Sequence, residues 1–247
     1  MWRARMLVEQ LRRQGNWLFR QRSWLPLLLL PVVVAAITGE SLPAWVMHPW
    51  WQAVCAGCIL LGLLLRGWIA ASVPEGTSGR NTAQQQAERL NTTGAYALVR
   101  HPLYAANFLI WSGILLRPGI WWLWALGAAV FAFIYERIAL AEEEFLEQRF
   151  GEAFRSWARR TPAFLPRLHG YCPPEEPFRW GQLLRREYST WLSTALAAAL
   201  VEGLVRWRMT GAVALPPTWW VLLGAVLAVA AVLRLYKALR RGRAAAQ

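Results

Sequence analysis

Apolar residues fall along this chain in six long blocks, separated by stretches where arginine, glycine and proline collect. The blocks run roughly from 24 to 44, 50 to 72, 102 to 117, 119 to 140, 189 to 206 and 217 to 236. A helix needs about 20 apolar residues to cross the hydrocarbon layer, and tryptophan is at home at its edges. The pattern therefore predicts an all-α, polytopic membrane protein with about six transmembrane helices. The third block, PLYAANFLIWSGILLR, has only 16 residues and covers ~24 Å at the α-helical rise. An RPG turn at Arg117 to Gly119 leads straight into IWWLWALGAAVFAFIY, so the third and fourth blocks form a tight helical hairpin.

The same punctuation divides the chain into a basic arm (1–23), two transmembrane helices (24–72), a central segment with the hairpin and an acidic helix (73–167), a Pro-rich linker (168–188), and two more transmembrane helices with a basic tail (189–247). Arginines orient these spans, because loops rich in basic residues stay on the cytoplasmic side. The arm carries Arg3, Arg5, Arg12, Arg13, Arg20 and Arg22, the 73–100 loop carries Arg80, Arg89 and Arg100, and the 136–187 segment is the richest of all. These three fall on the cytoplasmic face, with both termini. The loop around Ser41 to Pro49 has no arginine, whereas Arg206 and Arg208 run against the pattern, since six spans leave them outside. No small-residue cleavage site follows the arm, which reads as an uncleaved cytoplasmic segment rather than a secretory signal.

Composition agrees with a membrane protein. Hydrophobic residues make up 56% of the 247, with 17 tryptophans, beyond what soluble domains carry. The formal charge of +13 is almost wholly arginine, with Lys237 the single lysine. It sits in clusters between apolar blocks, which suits contact with membrane lipid head groups and speaks against a nucleic-acid-binding stripe. Cys55 and Cys58 form a CxxC inside an apolar block and Cys172 stands alone in the linker, so no disulfide framework or metal set is expected. Trp121, Trp122, Trp124, Trp219 and Trp220 read as interfacial anchors, PPEEP as a stiff connector, and His48 and His169 as solitary residues. Glu202 inside the fifth block is costly if it faces lipid, but it lies four residues from Arg206 and can pair with it on the helix surface.

Candidate chemistry collects at two places that the hairpin brings to one end. In LVRHPLYAANF, Pro102 fits the first turn of a helix, where its missing N–H has no partner to lose. His101 stands at the cap, Arg100 precedes it, and Tyr104 follows three residues later on the same side. Near the positive end of a helix this group suits an anion on a ligand, or else simply anchors the span at the interface. In AEEEFLEQRFGEAFRSW, three acids at the end of an apolar block alternate with Phe145, Leu146 and Phe150, and carboxylates held against apolar surface need cationic or hydrogen-bonding partners. A cationic ligand, or Arg100 and Arg137, would supply them.

TGAYALVRHPLYAANF followed by EEEFLEQRFGEAFRSWARRTPAFLP resembles the isoprenylcysteine carboxyl methyltransferase family and its bacterial integral-membrane, S-adenosylmethionine-dependent relatives. The family pattern is G-x-Y, R-H-P-x-Y, a two-helix hairpin, then E-E-x-x-L-x-x-x-F-G with a tyrosine pair and a proline-containing tail. This chain supplies Gly94, Tyr96, Arg100, His101, Pro102, Tyr104, Glu142, Glu143, Leu146, Phe150, Gly151, Pro162 and Pro166. Phe154 and Trp157 replace the tyrosine pair, and Ala105 a glycine. The likeness covers roughly residues 88–167.

The resemblance implies a cytoplasmic pocket for S-adenosylmethionine. Glu88, Arg89, Leu90 and Asn91 would run beside the cofactor, Tyr96, Arg100 and His101 would contact it, Glu142 would bind a polar group, and Tyr104 would form a wall. Arg137 is nearest to an arginine associated with the acceptor, one position out of register. The implied reaction is in-line displacement by an acceptor oxygen or nitrogen. An ionised carboxylate or phosphate needs no general base, whereas an amine does, with Glu143 as the candidate. A lipid or isoprenoid acid or phosphate is the expected acceptor, with a phospholipid amine, or a non-catalytic transport or assembly role on the same scaffold, as alternatives. Abundant arginine with almost no lysine suits a GC-rich bacterial coding sequence, hence a bacterial inner membrane.

Overall fold

The computed structural model describes residues 2–74 and 87–245; Arg80 lies outside them, as do the side chains of Arg3 and Arg5. The described residues form α1 (Trp2–Gln21), α2 (Leu30–Gly39), α3 (Pro49–Ser72), α4 (Pro102–Leu116), α5 (Trp121–Phe150), α6 (Glu152–Ala158), α7 (Trp180–Thr210) and α8 (Pro217–Ala245). Short 3-10 turns lie at Leu25–Leu29, Ala44–Met47 and Gly94–Ala97. The fold is all-helical, as the apolar blocks predict.

The number of continuous spans differs from six. Among the described residues, four helices, α3, α5, α7 and α8, are long and apolar enough to cross a membrane, and the bent α1–α2 pair raises the count to five. The first apolar block does not form one helix because Pro26 and Pro31 each sit at the start of a new helical turn. It breaks into a 3-10 turn and the ten-residue α2, with a 91° bend from α1. The third block is α4, only 15 residues long. The basic arm is no free tail: α1 docks along α5, with Arg12 on Glu144 at 2.6 Å and Gly15 packed directly on the Arg137 carbonyl.

Helix packing explains why α4 stays in place although it is short. Where α3 and α4 cross, Gly62 lies against Ala106 and Ile110, and Gly113 against Cys55 and Ile59. A Cβ on Gly113 would stand 2.5 Å from the Cys55 carbonyl oxygen. Small residues let backbones approach where no hydrophobic force separates helix from lipid. The Arg117–Pro118–Gly119 turn then reverses the chain, with Gly119 at φ 74°, a left-handed conformation that glycine adopts freely.

At that turn Arg117 donates from Nε to Glu202 at 2.6 Å and from Nη1 to the Val46 carbonyl at 2.8 Å. Arg206 donates to the other Glu202 oxygen at 2.6 Å, the pairing expected from their spacing. Arg208 donates to the Ile37 carbonyl, in the last turn of α2, at 3.0 Å. Arg206 and Arg208, the two residues that defied the orientation pattern, are thus held by internal partners.

Candidate active site

The hairpin returns α5 to the start of α4, and α5 runs on without a break into the acidic stretch. At ~1.5 Å per residue its 30 residues reach about 45 Å, longer than a ~30 Å hydrocarbon core. Its three consecutive glutamates divide by helix geometry. Glu144 faces α1, while Glu142 and Glu143 face α4 and a cavity of about 730 Å³.

His101 occupies the cap position of α4, but its ring makes no capping bond. It lies between the two carboxylates instead: Nε2 is 2.9 Å from Glu143 Oε1, and Nδ1 is 3.6 Å from Glu142 Oε2. Arg100 Nη1 donates to the second oxygen of Glu143 at 2.6 Å. Tyr104 donates its hydroxyl proton to Glu142 at 2.6 Å, and its ring stacks on the imidazole with centroids 5.1 Å apart. The anion that the arginine–histidine pair attracts is therefore the chain's own.

Burial alone would push the imidazolium toward neutrality. The hydrogen bonds and charges of Glu142 and Glu143 outweigh it and hold His101 above its ordinary value. Burial, reinforced by the Glu142 charge, raises the Tyr96 phenol, which stays a hydrogen-bond donor.

The segment after α6 straps this cluster down. Arg100 and His101 donate their backbone N–H groups to the carbonyls of Pro162 and Ala163 at 2.8 and 3.2 Å, and Gly94 donates to the Cys172 carbonyl at 2.7 Å. Arg89 pairs with Glu175 of the PPEEP stretch, which is pinned to the loop before α4 as well as connecting helices. Gly151, at φ 54°, breaks α5 from α6. The turn there swings Phe154 and Trp157 into the cavity wall, where Trp157 Nε1 donates to the Tyr96 carbonyl at 3.1 Å.

Of the residues singled out from the sequence, Arg89, Leu90, Asn91, Tyr96, Arg100, His101, Tyr104, Glu142 and Glu143 line this one cavity. Glu88 is exposed and outside the lining. Arg137 is also outside it: the guanidinium lies over the Phe133 ring and donates to Gln14 of α1 at 3.1 Å. Its one-position offset in the sequence corresponds to a different helix face. Arg66, Asn107, Tyr135 and Glu187 also line the cavity and were not foreseen. Arg66 carried a signal, since an arginine inside an apolar block is costly unless partnered; Glu187, in the segment read as a linker, carried none.

Residues 50–153, covering α3 to the start of α6, match the phospholipid methyltransferase family. Among relatives, the nickel-cobalt-cadmium resistance protein of Alcaligenes xylosoxydans xylosoxydans is 36% identical over 141 residues, 56% of this chain and 60% of that protein. The cobalt-zinc-cadmium resistance protein of Cupriavidus metallidurans is 35% identical over 124 residues, 50% of this chain and 57% of that protein. Protein-S-isoprenylcysteine O-methyltransferase B of Arabidopsis thaliana is 33% identical over 130 residues, 50% of this chain and 64% of that protein. The last bears out the resemblance read from the motifs. The chain spans less than two thirds of the length of each of these relatives, and no solved structure matches it.

Proposed function

We propose that this chain is an S-adenosylmethionine-dependent methyltransferase of the membrane that methylates an ionised oxygen on a lipid-like acceptor. The observation that supports it most is the meeting of Arg100, His101, Tyr104, Glu142 and Glu143 on the wall of one large cavity, within a segment of a methyltransferase family.

The residues present fit such a cofactor. The Arg100 Nε is buried without a hydrogen-bond partner and suits a carboxylate. Glu142, with one oxygen bonded to Tyr104, suits an ammonium or ribose hydroxyls, and the charge of the two carboxylates favours a nearby sulfonium. Arg89, Leu90 and Asn91 would flank the cofactor, with Tyr96 and Tyr104 as walls. About 730 Å³ lies within the range of small-molecule sites. When bound, S-adenosylmethionine supplies the methyl group and leaves as a neutral thioether, while an already ionised acceptor oxygen takes the methyl with no proton to lose.

The chain's own residues bind, orient and exclude water. Both oxygens of Glu143 are engaged, by Arg100 and His101, so this carboxylate serves to shape the site, and an ionised oxygen acceptor asks no more of it. The buried Phe154 and Trp157 keep water from one side, and alignment of the reactants supplies most of the rate. In this reading the His101 end faces the cytoplasm of a bacterial inner membrane, where a charged cofactor arrives, and the acceptor enters from the lipid side.

The family's description favours a second reading, a phospholipid amine as acceptor, in which Glu143 would have to take a proton. The names of two relatives favour a third, a non-catalytic role in metal resistance. Among the described residues no group of three or more His, Cys, Asp or Glu is placed to hold a metal ion. A labelled-methyl assay on membranes, fractionated by lipid class, separates the three. Label in an acidic lipid, as a base-labile carboxyl ester or a phosphate methyl ester, that falls at least tenfold in His101→Ala is the expected outcome, base-stable label in an amine lipid supports the second reading, and no transfer supports the third.

A further inference from the structure

The family match ends at residue 153, yet α7 supplies a wall of the cavity and carries a deeply buried charge there. The Glu187 side chain is only 3% exposed. Its two oxygens accept hydrogen bonds from Arg66 of α3, from Nε at 2.9 Å and Nη2 at 3.0 Å. The Arg66 Nη1 donates to Asn107 of α4, and Asn107 donates to the Tyr135 hydroxyl of α5 at 3.3 Å. Four helices therefore meet at one guanidinium on the cavity wall.

Stability alone is a weak reason for this arrangement, because apolar residues of similar size often serve a core as well as a buried ion pair does. Position gives it another use. A guanidinium carries five N–H groups, and the three bonds above leave one on Nη1 and one on Nη2. Held by Glu187 and Asn107, it is an oriented planar fork of the kind that recognises carboxylate and phosphate. The whole lining points the same way, with six arginines against three glutamates. Away from Glu142 and Glu143, that balance favours an oxyanion over an ammonium. Apolar side chains, Ile110, Trp111, Leu192 and Leu196, line the same cavity and suit a hydrocarbon chain.

We infer that Arg66, held in place by Glu187 and Asn107, binds the oxyanion head of the acceptor, a carboxylate or phosphate on an apolar chain, and that α7 is an acceptor-recognition element of this chain. The inference rests on the methyl-transfer reading for the fate of the bound anion, but not for its binding.

The test titrates dodecanoate, dodecyl phosphate and dodecylammonium into the purified protein in nanodiscs, with S-adenosylmethionine binding measured on the same samples. At least one anion is expected to bind more tightly than the ammonium, and the stronger of the two identifies the head group. Losing charged hydrogen bonds predicts a roughly tenfold or greater weakening of anion binding in Arg66→Met. Arg66→Lys keeps the charge and loses the fork, and Asn107→Ala loosens it; each is expected to weaken binding several-fold, and they decide the matter if Arg66→Met does not fold.

The inference is overturned if neither anion binds the wild type, if the ammonium binds at least as well, or if the folded Arg66 variants merely melt earlier and keep wild-type anion affinity. Anion binding without S-adenosylmethionine binding would sink the methyl-transfer reading and leave Arg66 in its role. The reverse would sink this inference alone.

Discussion

His101 is wedged between two carboxylates, with a tyrosine ring stacked on it, and the protonated imidazole is the form those neighbours favour. A raised folded-state value means that this protonation contributes stability fully below the ordinary histidine value near 6.5, and that the contribution fades as pH rises through the higher folded value. The difference in melting temperature between wild type and His101→Gln is therefore expected to be largest below pH 6.5 and to shrink at alkaline pH; a difference that grows with pH would contradict the two-carboxylate setting. At this scale the sequence was informative where chemistry is local. R-H-P-x-Y sits on one helical turn and E-E on another, so composition and spacing alone bring both to notice. Arg66 and Glu187 are 121 positions apart, and nothing in either neighbourhood names the other. Arg137 shows the converse hazard: a single-residue offset on a helix turns a side chain by about 100°, here away from the cavity and onto α1.

Among the elements, α4 is the one whose position depends most on its neighbours. Fifteen residues give it a reach of only ~22 Å, and close contact with α3 at Gly62 and Gly113 holds its first turn in line with the end of α5. Gly113→Ala would drive a methyl group into the Cys55 carbonyl. It is expected to cost about 1–3 kcal/mol, read as an earlier melting transition together with weaker cofactor binding. Gly57→Ala, on an open face of α3 with nothing within 4 Å, is the matched control and should leave both unchanged. Equal effects of the two substitutions would mean that the crossing is not tight. Block lengths gave the hairpin and the later spans well, because apolar runs without proline have one obvious outcome in a membrane. The first block misled because Pro26 and Pro31 interrupt it, and overall hydropathy does not register where a proline falls.

For the molecule as a whole, class and helical architecture were legible from apolar patterning. The count of continuous spans was not, since α1, a strongly basic helix, and the short α2 meet at a 91° bend that length and composition do not distinguish from one span. The arginines that broke the orientation pattern are explained by burial: Arg206 is tied to Glu202, and Arg208 to the carbonyls of Ile37 and Glu40. Orientation itself can be read from Cys172, which is exposed beside the His101 end, while Cys55 is buried within α3. A membrane-impermeant maleimide is expected to label Cys172 in inverted inner-membrane vesicles and not in intact spheroplasts; labelling only in spheroplasts would place the cavity's charged end on the outer face. The measurement that bears most directly on the proposed role is calorimetric titration of S-adenosylmethionine into the purified wild-type protein, His101→Ala and Glu142→Ala. The expected result is saturable one-site binding to wild type, weakened roughly tenfold or more in each variant through loss of charged hydrogen bonds. Absence of binding to wild type, or equal binding by all three proteins, would contradict it.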